Sequence, residues 1–366
     1  MRITRASLRD FRNYERSELD LGAALTVVSG PNGAGKTNLL EALYFGCTGR
    51  SPRTFNEREL VRRGTRVARV VLDVSGEDGE HRLEVGFEPG EAKHIRVDGR
   101  EAESLAAVEE RPLVSVFMPE RLELVKGAPA GRRAHLDRFV AALWPARAET
   151  RAAYSRALAQ RNALLARVRG RHAGADALGA WDGELARQGI RLMADRREAA
   201  QALAPPFVAL AERLGLPGEA ELRYRPRSGA ADEAGLVAEL EERRGADLER
   251  GFTAHGPHRD EVQLLLGGAA LRSYGSQGQQ RAALLALLFA ERELLAERRG
   301  RPPVMLLDDV MSELDAERRE LLASLLQSGG QAVITTADAD HVPGAAESGT
   351  ALVEVSAGQL ALEVAA

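Results

Sequence analysis

The sequence predicts an α/β protein in which a mixed sheet with helices is interrupted by an inserted helical subdomain. Three observations carry that reading. Gly30-Pro31-Asn32-Gly33-Ala34-Gly35-Lys36-Thr37 follows a β-branched apolar run, Leu25–Ser29, and precedes a helix-forming stretch, Asn38–Tyr44. Val304-Met305-Leu306-Leu307 is a second apolar run, and it ends on two carboxylates, Asp308 and Asp309. Most of the chain lies between these segments, and from about Arg132 to Glu249 it is patterned as helix.

The first segment fits the phosphate-loop pattern of Gly, four residues, then Gly-Lys-Thr, flanked as required by a strand and a helix. Glycines let backbone N–H groups turn toward phosphates, and the helix N-terminus adds positive partial charge. Lys36 is expected to reach the β- and γ-phosphates of a nucleoside triphosphate, and the Thr37 hydroxyl to hold Mg²⁺. Chance is a poor explanation, because the chain has only three lysines, Lys36, Lys93 and Lys126.

The remaining elements follow from periodicity. Met1–Leu8, Val67–Val74 and Leu83–Phe87 alternate like strands, with turns at Gly76–Gly79 and Pro89-Gly90 and a hairpin tip at Val97-Asp98-Gly99-Arg100. Leu113–Phe117 is a further strand, stopped by Pro119. Tyr154, Leu158, Leu165 and Val168 mark one helix. A second runs near Leu185–Leu203 and should stop at Pro205-Pro206. Val262–Leu266, Val304–Leu307 and Ala332–Thr335 read as strands, and Ala282–Glu297 and Ala316–Leu326 as helices. The expected division is 1–125 with 250–366 as one discontinuous domain and 126–249 as the helical insertion.

Composition sets bounds. The 366 residues are 44% hydrophobic and 28% charged, enough for a substantial core. One cysteine, Cys47, excludes a disulfide framework and suits a reducing cytosol. Neither a secretory leader nor a membrane-spanning run is expected. The net charge of −4 provides no global basic field, so nucleic-acid contact requires a local patch. Arg50, Arg53, Arg58, Arg62, Arg63, Arg66 and Arg69 form one candidate, locally opposed only by Glu57 and Glu59; Arg132, Arg133 and Arg138 form another. A solvated charged face is the alternative for both.

Two further sites need the same weighing. Asp308, at the C-terminal end of its strand, is placed to ligate Mg²⁺ beside a phosphate loop, and Asp309 to polarise an attacking water. Gly275-Ser276-Gln277-Gly278-Gln279 opens a helix, so Ser276 serves either as an ordinary N-cap or as part of a second anion site with Gln279. Ser312 or Asp315 could cap the helix starting at Ala316. His255 and His258 sit at a Gly-Pro turn without metal-ligand spacing, which favours packing.

Taken in order, these elements resemble the head of an ABC-type P-loop ATPase. Gly30–Thr37 matches its Walker A, Gly275–Gln279 its signature loop, Val304–Asp309 its Walker B and Ser312–Asp315 its D-loop. Walker A and Walker B split by helices is similar to the SMC-like repair ATPases. Leu8-Arg9-Asp10-Phe11-Arg12-Asn13-Tyr14, Phe117-Met118-Pro119-Glu120, Gly127-Ala128-Pro129 with Arg132-Arg133, and His255-Gly256-Pro257-His258-Arg259-Asp260 resemble segments of the RecF family of bacterial DNA repair, over nearly the whole chain.

That resemblance implies Lys36, Asp308 and Asp309 as catalytic residues, Gly30 to Thr37 with Ser276 and Gln279 as ATP-binding, and Thr37 and Asp308 as Mg²⁺ ligands. It implies an ATP-dependent homodimer in which each signature loop faces the partner's ATP. It further implies cytoplasmic action at gapped or single-stranded DNA, with RecO and RecR, in RecA loading, replication and SOS induction. A weak DNA-dependent ATPase is expected.

The chain departs from the general ABC pattern at three places. Asp309 stands where transporters carry Glu, and a shorter base predicts slow hydrolysis. No Gln occurs between the Walker A and Gln160, so the Q-loop Gln is missing, and Glu120 is a candidate substitute. Thr335-Thr336 occupies the switch-histidine position. A transporter subunit would carry that Gln and a shorter helical segment, and a metabolic kinase would need neither signature nor D-loop.

Overall fold

The computed structural model describes residues 1–105, 108, 111–172, 174–345 and 349–363. In chain order the elements begin with β1 (Arg2–Phe11), β2 (Tyr14–Asp20), β3 (Leu25–Ser29), α1 (Lys36–Thr48), β4 (Ala68–Gly76), β5 (Gly79–Phe87), β6 (His94–Val97), β7 (Arg100–Glu101) and β8 (Val114–Phe117). A largely helical stretch follows: α2 (Glu123–Lys126), α3 (Pro129–Leu143), α4 (Ala148–Arg169), α5 (Leu178–Arg213), β9 (Ala220–Arg225), α6 (Glu233–Glu242), α7 (Arg244–Arg250), β10 (Glu261–Leu266), β11 (Ala269–Ala270), α8 (Leu271–Tyr274) and α9 (Gln277–Arg299). The chain ends with β12 (Val304–Asp308), α10 (Ala316–Gln327), β13 (Ala332–Thr335), β14 (Thr350–Ser356) and β15 (Gln359–Glu363). These elements fall into two compact units, Met1–Leu122 with Leu295–Ala366, and Glu123–Leu294.

The first unit holds two sheets. One is antiparallel, in the order β2-β1-β4-β5-β6-β7. The other runs β15-β14-β3-β13-β12-β8, with parallel pairing from β14 to β8 and an antiparallel edge at β15. Its central strands β3, β12 and β13 are buried almost throughout, which explains their unbroken apolar runs. Leu39, Leu40, Leu43, Phe45 and Cys47 of α1 enter one core with Leu8, Leu72 and Val85 from the first sheet and Leu306 and Val333 from the second. The helix lies so close to β4 that a Cβ on Gly46 would fall 2.6 Å from the Leu72 side chain. Burial pushes the Cys47 thiol up to about 12, so it stays an inert core group.

In the second unit α4 and α5 form a helical hairpin whose core is Tyr154, Ala157, Leu185, Ala186, Leu192 and Met193, closed by Leu236 and Leu240 of α6. Two expectations fail here. The helix predicted to stop at Pro205-Pro206 continues to Arg213, with both prolines inside it. Burial of Phe207, Leu210 and Ala211 beyond the prolines outweighs the local cost of about 3 kcal/mol for an interior proline. The segment read as helical to Glu249 also contains a strand, β9, paired antiparallel with β10 from Glu261↔Arg225 to Leu266↔Ala220. Residues 250–294 fall in the second compact unit, which spans Glu123–Leu294 where the sequence suggested 126–249.

Candidate nucleotide site

The loop 30–35 links β3 to α1, and its conformation requires glycine at the points that matter. Gly30, Gly33 and Gly35 have φ of 143°, 83° and 126°, the left-handed region that side chains disfavour. The back of the loop is packed: a Cβ on Gly30 would meet the Val355 carbonyl oxygen at 2.2 Å, and one on Gly35 the Asn13 amide at 2.6 Å. Its front is open, since a Cβ on Gly33 meets nothing within 4 Å. Lys36 Nζ reaches across the loop and donates to the carbonyls of Gly30 (2.6 Å) and Pro31 (3.1 Å). Among the described residues no acceptor is found for the backbone N–H groups of Gly33, Gly35, Lys36 and Thr37. Unpaired donors at a helix start, a lysine across the loop and an open glycine face suit an anion of phosphate size.

The turn between β1 and β2 braces this loop from behind. Asn13 Nδ2 donates to the Ala34 carbonyl at 2.9 Å and Tyr14 Oη to that of Gly35 at 2.9 Å. Asn38 Nδ2 donates back to Asn13 Oδ1 at 2.8 Å. Phe11 packs on Phe45 of α1, with ring centroids 5.8 Å apart. Arg12, at φ 53°, makes a two-pronged bond to the fully buried Glu41 carboxylate at 2.8 and 2.9 Å. The sequence offered Phe11-Arg12-Asn13-Tyr14 as a family resemblance; its physical work is to hold the phosphate loop and α1 in place.

Parallel pairing brings the second motif to the first. Asp308 closes β12, which pairs with β13, which in turn pairs with β3. Thr37 Oγ1 consequently lies 2.9 and 3.0 Å from the two carboxylate oxygens of Asp308. Thr335 Oγ1, at the end of β13, donates to Asp308 Oδ1 at 2.6 Å and accepts from the Asp309 N–H at 3.0 Å. Burial pushes the Asp308 carboxyl above the usual range; the hydroxyls of Thr335 and Thr37 pull it back, and the charges of Glu120 and Asp309 push it up again. Asp309 is exposed, with φ 47°. A hydroxyl and a buried carboxylate are hard oxygen donors, and the crowding of negative charge around them suits a divalent cation such as Mg²⁺.

Glu120 lies just beyond β8, the strand beside β12, and accepts from Arg53 Nε at 3.2 Å. Arg53 also donates to Asn38 Oδ1 at 2.9 Å and Glu41 Oε2 at 3.2 Å. Thr336 Oγ1 donates to the Asp338 carbonyl at 2.8 Å, away from Asp308. Thr335 is the site residue whose contact the sequence could not supply. Its position after a buried strand was legible, and its bond to Asp308 needs the sheet.

The signature-like loop belongs to the second unit. Ser276 and Gln279 satisfy each other there: the Ser276 N–H donates to Gln279 Oε1 at 2.8 Å, and the Gln279 N–H to Ser276 Oγ at 3.2 Å. This reciprocal capping box opens the 23-residue α9 on an exposed loop beside Tyr274, which is 79% exposed. In the first unit Asp315 caps α10 by accepting from the Arg318 N–H at 2.9 Å, and Ser312 Oγ donates to the Asp309 carbonyl at 3.0 Å.

The arginine candidates need correction. Of the first set, Arg53, Arg62, Arg66 and Arg69 pair with Glu41 and Glu120, Glu15, Glu88 and Glu84, all remote in sequence. Arg50, Arg58 and Arg63 are exposed and make no ion pair among the described residues. In the second set Arg132 is buried against Glu261 and the carbonyls of Val125 and Gly127, and Arg133 donates to the Asp260 carbonyl at 2.7 Å. Those two arginines hold the fold together, and Arg138 alone of that set is exposed.

The histidines are packed. His258 Nε2 donates to the Thr253 carbonyl at 3.0 Å, which leaves Nδ1 to accept from Tyr154 Oη at 2.7 Å. Burial pushes the His258 imidazole down to about 4. His255 pairs with Glu239 at 2.5 Å. Asp260 takes Arg196 Nη1 at 3.0 Å, the Arg227 N–H at 2.7 Å and the Tyr224 hydroxyl. No cluster of metal-ligating side chains occurs among the described residues.

The model of the RecF/RecN/SMC N-terminal domain matches residues 2–359. The DNA replication and repair protein RecF of Myxococcus xanthus is 42% identical over 375 aligned positions, covering 99% of this chain and 97% of that one. The chain belongs to the RecF family. A RecF-family relative from Roseiflexus castenholzii is 39% identical, over 92% of this chain and 93% of its own. A solved structure described as the recombination mediator protein RecF-ATP in the RecFOR pathway superposes with a TM-score of 0.88 at 29% identity, over 99% of this chain and 97% of that one. An SMC head bound to the C-terminal winged helix of ScpA gives a TM-score of 0.60 at 16% identity, which supports the ABC-type ATPase fold alone. Among the described residues, no helix of this RecF-family chain is long and apolar enough to cross a membrane.

Proposed function

We propose that this chain is an ATP-dependent DNA-binding protein of recombinational repair that dimerises on ATP and hydrolyses it slowly. The observation that carries the reading is the meeting of Thr37 with Asp308, which brings together, from segments 271 residues apart, the two side chains this reading assigns to the cation beside the triphosphate. Lys36 releases the carbonyls of Gly30 and Pro31 and turns to the β- and γ-phosphates, while the free N–H groups of the loop hold the remaining oxygens. Thr37 and Asp308 would hold Mg²⁺, which would supply charge neutralisation for the phosphates when bound. Asp309 orients water, and its short side chain predicts slow turnover.

Ser276 and Gln279 cap each other on an exposed loop at the start of α9, and the resemblance of this loop to the ABC signature supports a second role. Their role is to complete the ATP site of a second copy, so that ATP acts as a ligand joining two chains. The names of the relatives, a DNA replication and repair protein and a recombination mediator of the RecFOR pathway, support a role in replication and recombinational repair alongside RecO and RecR. Cytoplasmic action on gapped DNA, RecA loading and a link to the SOS response belong to the same proposal. A weak DNA-dependent ATPase activity belongs to the same reading.

Mass in solution with and without ATP tests this for wild type, Lys36→Met and Ser276→Arg. Wild type is expected to dimerise with ATP and both variants to remain monomeric. A wild type that stays monomeric, or a Ser276→Arg variant that dimerises normally, overturns the shared-site reading. DNA affinity should fall steeply with salt; a flat response overturns phosphate contact.

A further inference from the structure

Phe55 is the most exposed large apolar side chain among the described residues, at 108% of its extended-chain accessibility. Its loop is nevertheless tied down. Ser51 Oγ donates to the buried Glu41 carboxylate at 2.6 Å and accepts from the N–H groups of Arg53 and Thr54 at 3.0 and 3.1 Å. On the far side, the Asn56 N–H donates to Thr54 Oγ1 at 3.0 Å, and Asn56 Nδ2 to Glu59 Oε1 at 3.3 Å. The chain thus holds an aromatic ring in water on a hydrogen-bonded turn. Arg50, Arg58 and Arg63, the members of the arginine set that lack carboxylate partners among the described residues, flank it in sequence.

A lone exposed ring on a stretch of chain that also carries three exposed guanidinium groups does not suit an apolar protein surface, which buries an apolar cluster and leaves charge at its rim. It suits an unpaired nucleotide, whose base stacks on the ring while its phosphates meet the arginines. Duplex offers phosphates and keeps its bases stacked on one another. The pairing of ring and charge therefore discriminates single-stranded from double-stranded DNA, which charge alone does not do.

We propose that Phe55 is the base-stacking residue by which this chain selects unpaired nucleotides, with Arg50, Arg58 and Arg63 holding the adjoining phosphates. The proposal rests on the DNA-binding reading above.

Fluorescence anisotropy with ATP and Mg²⁺, on a gapped duplex and on a blunt duplex of equal length, tests it for wild type, Phe55→Ala and Phe55→Trp. Phe55→Ala is expected to lose roughly tenfold in affinity for the gapped duplex and to bind the blunt duplex as wild type does. Phe55→Trp should keep the preference, and its indole emission should be quenched by the gapped duplex only. Equal gapped-duplex affinity for Phe55→Ala and wild type overturns the proposal and leaves DNA binding standing. A Phe55→Ala variant that loses ATP-dependent dimerisation with its DNA preference intact assigns the ring to a second copy and also overturns it. A wild type that binds neither DNA removes the DNA-binding reading itself.

Discussion

Arg12 grips the Glu41 carboxylate with two parallel hydrogen bonds of 2.8 and 2.9 Å, and Glu41 is fully buried. Glu41 also receives Ser51 and Arg53, so one carboxylate ties the β1–β2 turn and the Arg50–Asn56 loop to α1, the helix that begins at Lys36 and Thr37. Removing Arg12 leaves that buried charge short of a partner. Arg12→Ala should cost on the order of 3 kcal/mol in urea unfolding, whereas Arg12→Met combined with Glu41→Leu should cost clearly less. A single substitution within about 0.5 kcal/mol of wild type would show the pair to be energetically idle.

Asp308 predicts opposite effects on stability and on ligand binding. Its folded carboxyl sits above the usual range, so the charged form is penalised in the free protein. Asp308→Asn should raise the melting temperature without ligand and abolish the further rise given by ATP with Mg²⁺. The sign follows from the raised value. Below the unfolded pKa both states are protonated and the substitution gains nothing; the gain grows as pH rises and levels off above the folded pKa. Melting temperatures across pH check this, and a gain that shrinks with rising pH contradicts it.

His258 predicts the reverse slope. Its folded imidazole is pushed down to about 4 from 6.5, so the unfolded chain takes up a proton first as pH falls. Its contribution is intact above the unfolded value, declines as pH drops from there toward 4, and is fully lost below that. His258→Gln should flatten the stability profile across this window by on the order of 3 kcal/mol. Unfolding free energies measured at several pH values decide it; equal slopes for both proteins would place the titration elsewhere.

The Ser276–Gln279 capping box separates a structural from a ligand role. Ser276→Ala removes one cap acceptor from α9 and should cost about 1 kcal/mol by chemical denaturation. Ser276→Asp keeps the cap and adds charge against an incoming phosphate. It should unfold like wild type while failing to dimerise with ATP. Dimerisation of the Asp variant at wild-type ATP concentrations would confine the loop to capping.

Much of the site was legible because it is built from buried parallel strands. Leu25–Ser29, Val304–Leu307 and Ala332–Thr335 are apolar runs ending at the candidate site, and glycine spacing identifies the loop after the first. What escaped depends on partners remote in the chain. The arginines near Arg53 look opposed only by Glu57 and Glu59 locally, yet Glu15, Glu41, Glu84, Glu88 and Glu120 arrive from other elements and neutralise four of them. Strand β9 alternates Ala220, Leu222 and Tyr224 inward only briefly, and its surroundings are helical, so its pattern is outvoted until β10 is found beside it. Pro205-Pro206 reads as a stop because local rules contain no term for the burial of Phe207 and Leu210.

The central claim is that one chain's phosphate loop works with another chain's signature loop. ATP hydrolysis in an equimolar mixture of Lys36→Met and Ser276→Arg tests it most directly. Each variant alone should be inactive. In the mixed dimer one site carries both substitutions and the other carries neither, so the mixture should regain activity. A mixture as inactive as its components would contradict the account.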